Sequence, residues 1–399
     1  MSPQIPSSSS LASTLATEAI HGGTGPDPET GALLTPVHQN TTYAQSDLGV
    51  HRGFSYSRTG NPTVSAFEKR LAALEQAHSA TAFATGMAAT TTLFLSLLKS
   101  GDRVICSDVV YGGTVRVLRQ VLQAFGVNTD FIDTSDLNTV KEALRKPARL
   151  VFLETPANPT LKLSDIEAIA QLARKAGAWT VVDNTFLTPV LQRPLDLGAD
   201  VSLYSTTKYI EGHNSTVGGA LLTKNDELAE RLRFVQGTLG TTQAPWEAWL
   251  SLRGVKTLPL RMERHSANAA SLAAWLEDRP EVERVDYPFS DSFPQVELAR
   301  RQQKAGGGLI SFRLKGGLAA VRAFAVALQR ITLAENLGAV ESLITHPVTM
   351  THASVPESQR LRAGIVPGLL RLSVGLEDPQ DLIADLEGAF QRSKAEAIA

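Results

Sequence analysis

The sequence predicts an α/β protein with three parts: a large domain built on a mostly parallel central sheet, a smaller C-terminal α+β domain and an extended N-terminal arm. At 399 residues the chain is longer than one ordinary core accommodates, so two or three domains are expected. Between residues 100 and 210, apolar segments alternate with helical segments, which is typical of a parallel sheet covered by helices on both faces. Residues 15–50 are rich in Thr, Gly, Pro and His and show little periodicity, which indicates an arm lying on another subunit.

The composition argues against several classes of protein. Hydrophobic residues make up 43% of the chain, and a net charge of −2 without a basic block gives no support to nucleic-acid or membrane binding. Cys106 is the only cysteine, which rules out an intrachain disulfide and a cysteine-clustered zinc site, and no metal is expected. The start of the chain lacks a secretory signal, and no apolar run could span a bilayer. A cytoplasmic protein whose residues 1–12 are disordered is therefore expected.

The elements of each part follow from apolar spacing and from turn residues. The arm is expected at 1–59. The large domain is expected at 60–255. Its helices are expected at 64–76, 88–98, 137–144 and 165–175, and a further helix follows the turn at 111–116 and runs to 125. Its strands are expected at 102–107, 127–132, 149–154, 179–183 and 201–204. Ser164 is expected to cap the helix at 165–175 through a capping box with Glu167. The C-terminal domain, at 256–399, is expected to hold helices at 261–276, 318–328 and 378–392, and strands at 282–287, 308–313 and 369–374.

Two segments, one near the end of the arm and one in the large domain, offer groups that could bind an anion. Tyr56 and Arg58 place a phenol and a guanidinium in one loop, a pair suited to phosphate, although an ordinary surface loop also fits them. Gly86 and Met87 precede a helix, and small residues at that position let backbone N–H groups face an anion. The segment contains no complete Gly-x-Gly-x-x-Gly, so a dinucleotide site is not indicated.

The strongest chemical signal comes from the ends of two adjacent strands. One strand ends at Asp183, and the other is followed by Ser205, Thr207 and Lys208. Open α/β sheets bind ligands at the carboxyl ends of their strands, and a desolvated lysine there is a usable nucleophile. A lysine to bond the cofactor, an aspartate to keep its pyridine nitrogen protonated and hydroxyls for its phosphate suit pyridoxal 5'-phosphate (PLP). The Ser-x-x-Lys pattern of serine β-lactamases also fits residues 205–208, but its companion motifs are missing.

With these residues in view, the chain resembles the Cys/Met-metabolism family of PLP enzymes, which includes the cystathionine γ-synthases and γ-lyases. The resemblance covers about residues 15–390 and implies fold type I, the aspartate-aminotransferase-like fold. Eight motifs carry it, in this order: Tyr56-Ser-Arg58-x-x-Asn-Pro-Thr63, Gly86-Met87, Tyr111-Gly-Gly-Thr, Glu154-Thr-Pro-x-Asn158-Pro, Asp183-Asn-Thr-Phe, Ser205-x-Thr207-Lys208, Glu341-Ser342-Leu and Arg371-Leu-Ser-Val-Gly-Leu-Glu-Asp.

The resemblance implies a role for each matching residue. Lys208 would bond to the cofactor and then carry protons, and Tyr111 would stack on the cofactor ring and act near the leaving group. The remaining cofactor contacts would come from Asp183, Asn158, Gly86, Met87, Ser205 and Thr207, and from Tyr56 and Arg58 of a neighbouring subunit. Arg371, with Ser342 beside it, would bind the α-carboxylate of an amino-acid substrate. The family's homotetramer of two catalytic dimers agrees with the arm predicted above.

The expected reaction is formation or cleavage of the Cγ–S bond of cystathionine. Arg116 and Glu335 match positions that the γ-branches keep for the distal part of a long dicarboxylic substrate, with Asn336 beside them, although surface salt-bridge residues would look the same. Three departures from the family pattern stand out: Ser55 where several members have an acid, Asn214 in place of a serine, and Asn336 in place of another serine. The alternatives are a cystathionine β-lyase, a methionine γ-lyase or homoserine sulfhydrylase, and a PLP-binding regulator without turnover.

Overall fold

A seven-stranded sheet forms the larger part of the fold. The computed structural model describes residues 13–353 and 355–396, so the prediction of disorder for residues 1–12 lies outside the described residues. The seven strands are β1 Ser79–Phe83, β2 Arg103–Ser107, β3 Asn128–Ile132, β4 Leu150–Glu154, β5 Trp179–Asp183, β6 Val201–Tyr204 and β7 Gly219–Thr223. Their order is β1-β7-β6-β5-β4-β2-β3. The pairs from β6 to β3 are parallel, whereas β7 runs antiparallel to β1 and β6.

Helices pack against both faces of this sheet and extend beyond it. They are α1 Leu15–His21, α2 Pro62–Glu75, α3 Gly86–Leu97, α4 Gly112–Arg116, α5 Leu137–Ala143, α6 Ile166–Lys175, α7 Thr188–Leu191, α8 Asp226–Leu239, α9 Pro245–Val255 and α10 Leu258–Glu277. The central strands β4, β6 and β7 are buried along their whole length, which explains why their sequences are almost continuously apolar.

A second, five-stranded sheet lies in the C-terminal part. Its strands are β8 Val282–Asp286, β9 Leu309–Leu314, β10 Thr332–Leu333, β11 Leu343–Thr345 and β12 Leu369–Ser373, in the order β10-β11-β12-β9-β8. The helices of this part are α11 Val296–Gln302, α12 Gly317–Ala327, α13 Glu357–Arg362 and α14 Pro379–Glu396. Phe312, Phe324 and Leu386 belong to a separate hydrophobic cluster under this sheet. The domain limits after residues 59 and 255 stay a prediction.

The arm is anchored to the large sheet through α2. Arg70 of α2 donates through Nε to the carbonyl of Gly22 at 2.6 Å and through Nη1 to that of Ala19 at 2.7 Å. Asn61 caps α2 by accepting from the backbone of Thr63, and its amide nitrogen donates to the carbonyl of His38 at 2.9 Å. One side chain therefore both starts the helix and holds the arm.

Several local expectations differ from the structure. Asp165, and not Ser164, caps α6, because the Asp165 carboxylate accepts from the backbone of Ala168 while the Ser164 hydroxyl bonds to Thr134 inside the fold. The helix expected to run to residue 125 changes after Arg116 into a π-helical turn over 117–121 and a 3-10 turn over 122–125. The arm contains the short helix α1, which its sparse periodicity did not indicate.

The described residues contain no helix that is long and apolar enough to cross a membrane. Within residues 13–353 and 355–396, no cluster of three or more His, Cys, Asp or Glu side chains is arranged to hold a metal ion.

Candidate active site

A cavity of about 530 Å³ opens where β4, β5 and β6 end, facing β12 of the second sheet. Twelve of the predicted site residues line it: Gly86, Met87, Tyr111, Arg116, Asn158, Asp183, Ser205, Thr207, Lys208, Glu335, Asn336 and Arg371. A larger groove, of about 1130 Å³, runs along the edge strand β3, but none of the predicted site residues lines it. The smaller cavity is therefore the candidate active site.

Lys208 lies just after β6, on a turn in which its backbone N–H donates to the carbonyl of Ser205 at 3.2 Å. Its Nζ donates to Oδ1 of Asn336 at 2.6 Å. Burial, and secondarily the charge of Arg371, lowers the pKa of Lys208 to about 8. A useful fraction of the amine is therefore neutral near neutral pH, as a nucleophile or base requires.

Asp183 and Glu154 lie side by side because their strands pair in register, Glu154 opposite Asp183. Burial raises the pKa of Asp183 to about 6, against two hydrogen bonds from Thr185 that lower it. Burial and the neighbouring Asp183 carboxylate raise the pKa of Glu154 well above its ordinary value. Two buried carboxyl groups so close together favour a proton or a cation between or beside them.

Glu154 also fixes two loops that reach the cavity. Its carboxylate accepts from the backbone N–H of Tyr111 at 2.8 Å and from that of Asn158 at 3.0 Å. The position of Glu154 in its motif predicts no separate function, since nothing in the sequence shows which backbone groups fold back onto it. Glu154 therefore sets the positions of two predicted cofactor contacts without being one of them.

Thr185 connects the two strand ends that carry the acid and the lysine. Its hydroxyl donates to Asp183 Oδ1 at 2.6 Å and accepts from the backbone N–H of Ser205 at 2.8 Å. Thr185 belongs to the motif that begins at Asp183, but the motif alone predicts no role for it. Its position two residues after the predicted acid was the available signal, because Thr and Asp often bond across such a short turn.

The start of α3 forms a cradle against the loop after β6. Thr85 caps the helix by accepting from the backbone of Ala88, so the N–H groups of Gly86 and Met87 in the first turn have no intrahelical acceptor. A Cβ on Gly86 would lie 3.0 Å from the Cβ and Oγ of Ser205, so a larger residue would displace the facing hydroxyl. Thr207 lines the same region, but its hydroxyl bonds to the backbone of Gly218. The helix N-terminus with Ser205 forms a site suited to phosphate.

Arg371, on β12, closes the opposite wall. Its Nη1 donates to Oδ1 of Asn158 at 2.9 Å, and its Nη2 donates to the carbonyl of Asn336 at 3.1 Å and to Oγ1 of Thr345 at 3.2 Å. The buried Nε has no partner among the described residues. Burial lowers the pKa of Arg371 to about 10, so it stays charged and is available to a carboxylate.

Three predicted site residues do not line the cavity. The Ser342 hydroxyl donates to Glu377 Oε2 at 2.8 Å and accepts from the backbone of Gly375 at 2.8 Å, so its side chain turns away from Arg371's cavity face. Tyr56 is 45% exposed, and Arg58 donates to the carbonyl of Gly237. Neither of these two reaches the cavity of its own chain.

The remaining wall is made by residues for which the sequence predicts no role. They are Thr85, Thr90, Thr114, Glu154, Pro156, Thr185, Phe186, Leu203, Val217, Leu337, Met350, Thr351 and Ala353. Most are apolar or hydroxyl side chains whose position depends on tertiary packing, for which the sequence carries no separate signal.

The residues present fit PLP. The cavity combines an amine with a lowered pKa, a carboxyl group with a raised pKa and a helix N-terminus at which a Cβ on Gly86 would crowd Ser205. Asp183 would pair with the protonated pyridine nitrogen of PLP, and Lys208 would bond to its aldehyde. The start of α3 and Ser205 would hold its phosphate.

Comparisons with known proteins agree with this chemistry. Residues 16–391 match the family model described as Cys/Met metabolism PLP-dependent enzyme. The chain is 48% identical to a cystathionine γ-lyase of Dictyostelium discoideum, an alignment covering 95% of this chain and 98% of that protein. It is 46% identical to a cystathionine β-lyase of Coxiella burnetii, covering 95% and 98% of the two chains.

Solved structures give the same result. The structure of a cystathionine γ-synthase from Xanthomonas oryzae pv. oryzae in complex with aminoacrylate and cysteine superimposes with a TM-score of 0.94 at 40% identity, covering 96% of this chain and 100% of that one. The fold-type I architecture predicted from the resemblance is confirmed. The chain belongs to the Cys/Met metabolism family of PLP-dependent enzymes.

Proposed function

We propose that this enzyme makes or cleaves the Cγ–S bond of cystathionine. The observation that carries the proposal is that two oppositely charged side chains, Arg116 and Glu335, line the same cavity as Arg371. An amino acid held by Arg371 through its α-carboxylate would extend its distal end toward them. The similarity to a γ-lyase and to a γ-synthase supports the same substrate class and leaves the direction, lyase or synthase, to experiment.

The chain's own groups have separable tasks in this proposal. Arg371 binds and orients the α-carboxylate, and its hydrogen bond to Asn158 keeps the guanidinium fixed. Lys208, whose pKa of about 8 allows both protonation states, removes the α-proton and moves protons to neighbouring carbons. Tyr111, which is 41% exposed at the cavity, would transfer a proton at the departing group. When bound, PLP supplies the electron sink that makes the α-proton acidic.

The experiment is to incubate the purified protein, loaded with PLP, with L-cystathionine and to identify the keto acid. We expect 2-oxobutyrate with cysteine and ammonia, because the proposal has the sulfur leaving from Cγ. A parallel assay with an O-acylhomoserine and cysteine measures the synthase direction. Lys208→Ala is the control: it should lose turnover by a factor on the order of a thousand or more while it still binds phosphate.

A β-lyase is the second candidate, because a relative of 46% identity carries that name. It would release pyruvate and homocysteine in the same assay. Pyruvate as the main product would overturn the γ-assignment and the role of Arg116 and Glu335. A protein that binds PLP visibly and turns over none of these substrates would instead be a regulator.

We also propose a homotetramer of two catalytic dimers, located in the cytoplasm. The support is that Tyr56 and Arg58 lie on the arm, outside the cavity of their own chain. A neighbouring subunit would then supply them to the phosphate site. The single, buried Cys106 suits a reducing compartment.

A further inference from the structure

Two of the three departures from the family pattern meet in the structure. Asn336 and Asn214 are 122 residues apart in sequence, and Asn336 Nδ2 donates to Asn214 Oδ1 at 2.6 Å. At one end of this pair, Asn336 Oδ1 accepts from Nζ of Lys208 at 2.6 Å. At the other end, Asn214 Nδ2 donates to Oε2 of Glu341 at 2.9 Å. A continuous chain of side-chain hydrogen bonds therefore runs from Lys208 to a surface carboxylate.

The chemistry of the two ends fixes the direction of every bond in this chain. A carboxylate such as Glu341 only accepts, so Asn214 must turn its NH2 toward it and its oxygen toward Asn336. Asn336 must then turn its NH2 toward Asn214, which leaves its oxygen facing the lysine. The opposite orientation of Asn336 would place two NH2 hydrogens against an amine that is itself a donor when protonated. Charge, and not packing alone, selects the orientation.

The backbone contributes at both asparagines. Asn214 has a φ of 55°, in the left-handed region that Asn tolerates better than most residues. The backbone carbonyl of Asn336 accepts from Arg371 Nη2 at 3.1 Å, so this residue touches both the lysine and the carboxylate-binding arginine. Asn336 is thus held from two sides, and its side chain has little freedom to choose another partner.

We propose that Asn214 and Glu341 are positioning residues for Lys208: they keep the oxygen of Asn336 aimed at the lysine amine while that amine is free to move protons. The proposal rests on the proposed function, in which Lys208 is the proton carrier. Neither Asn214 nor Glu341 lines the cavity, so both act through Asn336. Glu341 lies at the surface, and removing its charge should not disturb a core.

Two variants test this chain of hydrogen bonds without disturbing the fold. Glu341→Gln removes the group that fixes the direction of the bonds. Asn214→Gly removes the side-chain amide but keeps a residue that readily adopts a positive φ. It therefore distinguishes the effect of the lost amide from that of a changed backbone turn. In the PLP-loaded enzyme each should lower kcat about tenfold with KM nearly unchanged, because a misaligned base slows chemistry more than binding. The double variant should be no slower than either single variant, since both substitutions interrupt the same chain of hydrogen bonds.

A second readout does not depend on turnover. In the full chain freed of cofactor, Lys208 labelling by an amine-reactive imidate, followed by mass spectrometry of its peptide, should be about threefold faster in both variants, since the amine loses an oriented acceptor. Glu341→Asp should restore the wild-type rates. Glu283→Gln is the matched control, because Glu283 pairs with Arg313 on the second sheet and has no contact with the cavity.

The outcomes separate this proposal from the proposed function. Unchanged kcat and unchanged labelling in Glu341→Gln, or effects confined to KM, would overturn the positioning role. A double variant whose losses multiply would also overturn it, because the two residues would then act independently. If the wild type releases pyruvate or turns over no substrate, the proposed function fails, while the labelling experiment still decides whether the chain orients Lys208.

Discussion

At the scale of single residues, a buried acid behind the active-site strands is the least expected group. Glu75, at the end of α2, is fully buried and accepts from Oγ of Ser202 at 2.7 Å and from the hydroxyl of Tyr204. Tyr204 in turn accepts from Nδ2 of Asn184 at 3.0 Å, next to Asp183. Burial raises the pKa of Glu75 from 4.5 to about 7, although the hydroxyl donors oppose that shift.

Ionisation of Glu75 should make the free energy of unfolding depend on pH. Because its pKa is higher in the folded state, the folded protein binds the proton more tightly, and this contribution is complete below pH 4.5 and lost as pH rises through about 7. Glu75→Gln keeps an acceptor for Tyr204 but cannot ionise. Urea unfolding at several pH values should therefore show wild-type stability falling relative to the variant between pH 4.5 and 7. A wild type that gains stability relative to the variant over that range would contradict the raised pKa.

Cavity residues that belong to one short motif were predictable, and residues held there by tertiary contacts were not. Lys208, Asp183 and Arg371 were found because amine, acid and guanidinium occur in recognisable sequence contexts, and all three line the cavity. Glu154 and Thr185 had no predicted role, since their hydrogen-bond partners come from other strands and loops. The predicted role of Ser342 beside the substrate lacks side-chain support, because Glu377 holds its hydroxyl.

At the scale of elements, α2 joins the arm to the large sheet. Its first residue follows Asn61, which is only 2% exposed and bonds to the arm as well as to the helix. Its last turn carries Glu75, under β6. One helix therefore couples the segment that holds Tyr56 and Arg58 to the strand that precedes Lys208.

Removal of the Asn61 amide should loosen this coupling. Asn61→Ala loses a helix cap, worth about 1 kcal/mol, and also the partly buried hydrogen bond to the His38 carbonyl, so we expect a loss of stability of about 2 kcal/mol. Asn225→Ala is the matched control, since Asn225 caps α8 through Leu228 at an exposed site and has no contact with the arm. Urea unfolding and limited proteolysis of residues 15–60 measure the two effects. Equal losses in the two variants, without faster cleavage of the arm, would show that Asn61 acts only as a cap.

Elements with a clear apolar pattern were predicted correctly, and short or irregular elements were not. Strands β4 and β5 are where apolar sequence placed them, because a strand buried on both faces needs no alternation. The π-helical turn at 117–121 is made of residue types that are also common in α-helices, so no sequence pattern distinguishes it. The two-residue strand β10 is too short for any pattern to identify.

At the scale of the whole molecule, the cavity depends on both sheets at once. Lys208 follows β6 of the large sheet, whereas Arg371 belongs to β12 of the small one, and Asn336 contacts both. Tyr56 and Arg58 contribute nothing to this cavity within one chain. The proposed dimer would add a third source of groups to one site.

Mixing two inactive variants should test this sharing. If Arg58 serves the neighbouring site, a hybrid of Arg58→Ala and Lys208→Ala subunits contains one intact site, with the lysine from one chain and the arginine from the other. Refolding the two variants together in equal amounts should recover about a quarter of wild-type activity, because half of the dimers are hybrids with one working site of two. Each variant refolded alone is the control. No recovery, with hybrid dimers demonstrated by mass spectrometry, would place Arg58 in its own chain's site.

The position of Lys208 on one wall of the cavity also determines the stereochemistry of proton transfer. Among the cavity-lining residues in the described part of the chain, Lys208 is the only lysine, and it approaches from the large sheet. A carboxylate fixed on Arg371 and a single amine on one wall together define which side of a flat reactant faces the base. Every hydrogen that Lys208 moves would then enter or leave from that same side. In heavy water the product would carry deuterium with one stereochemical sense, and mirror-image amino acids would present their hydrogen to a wall that has no amine to receive it.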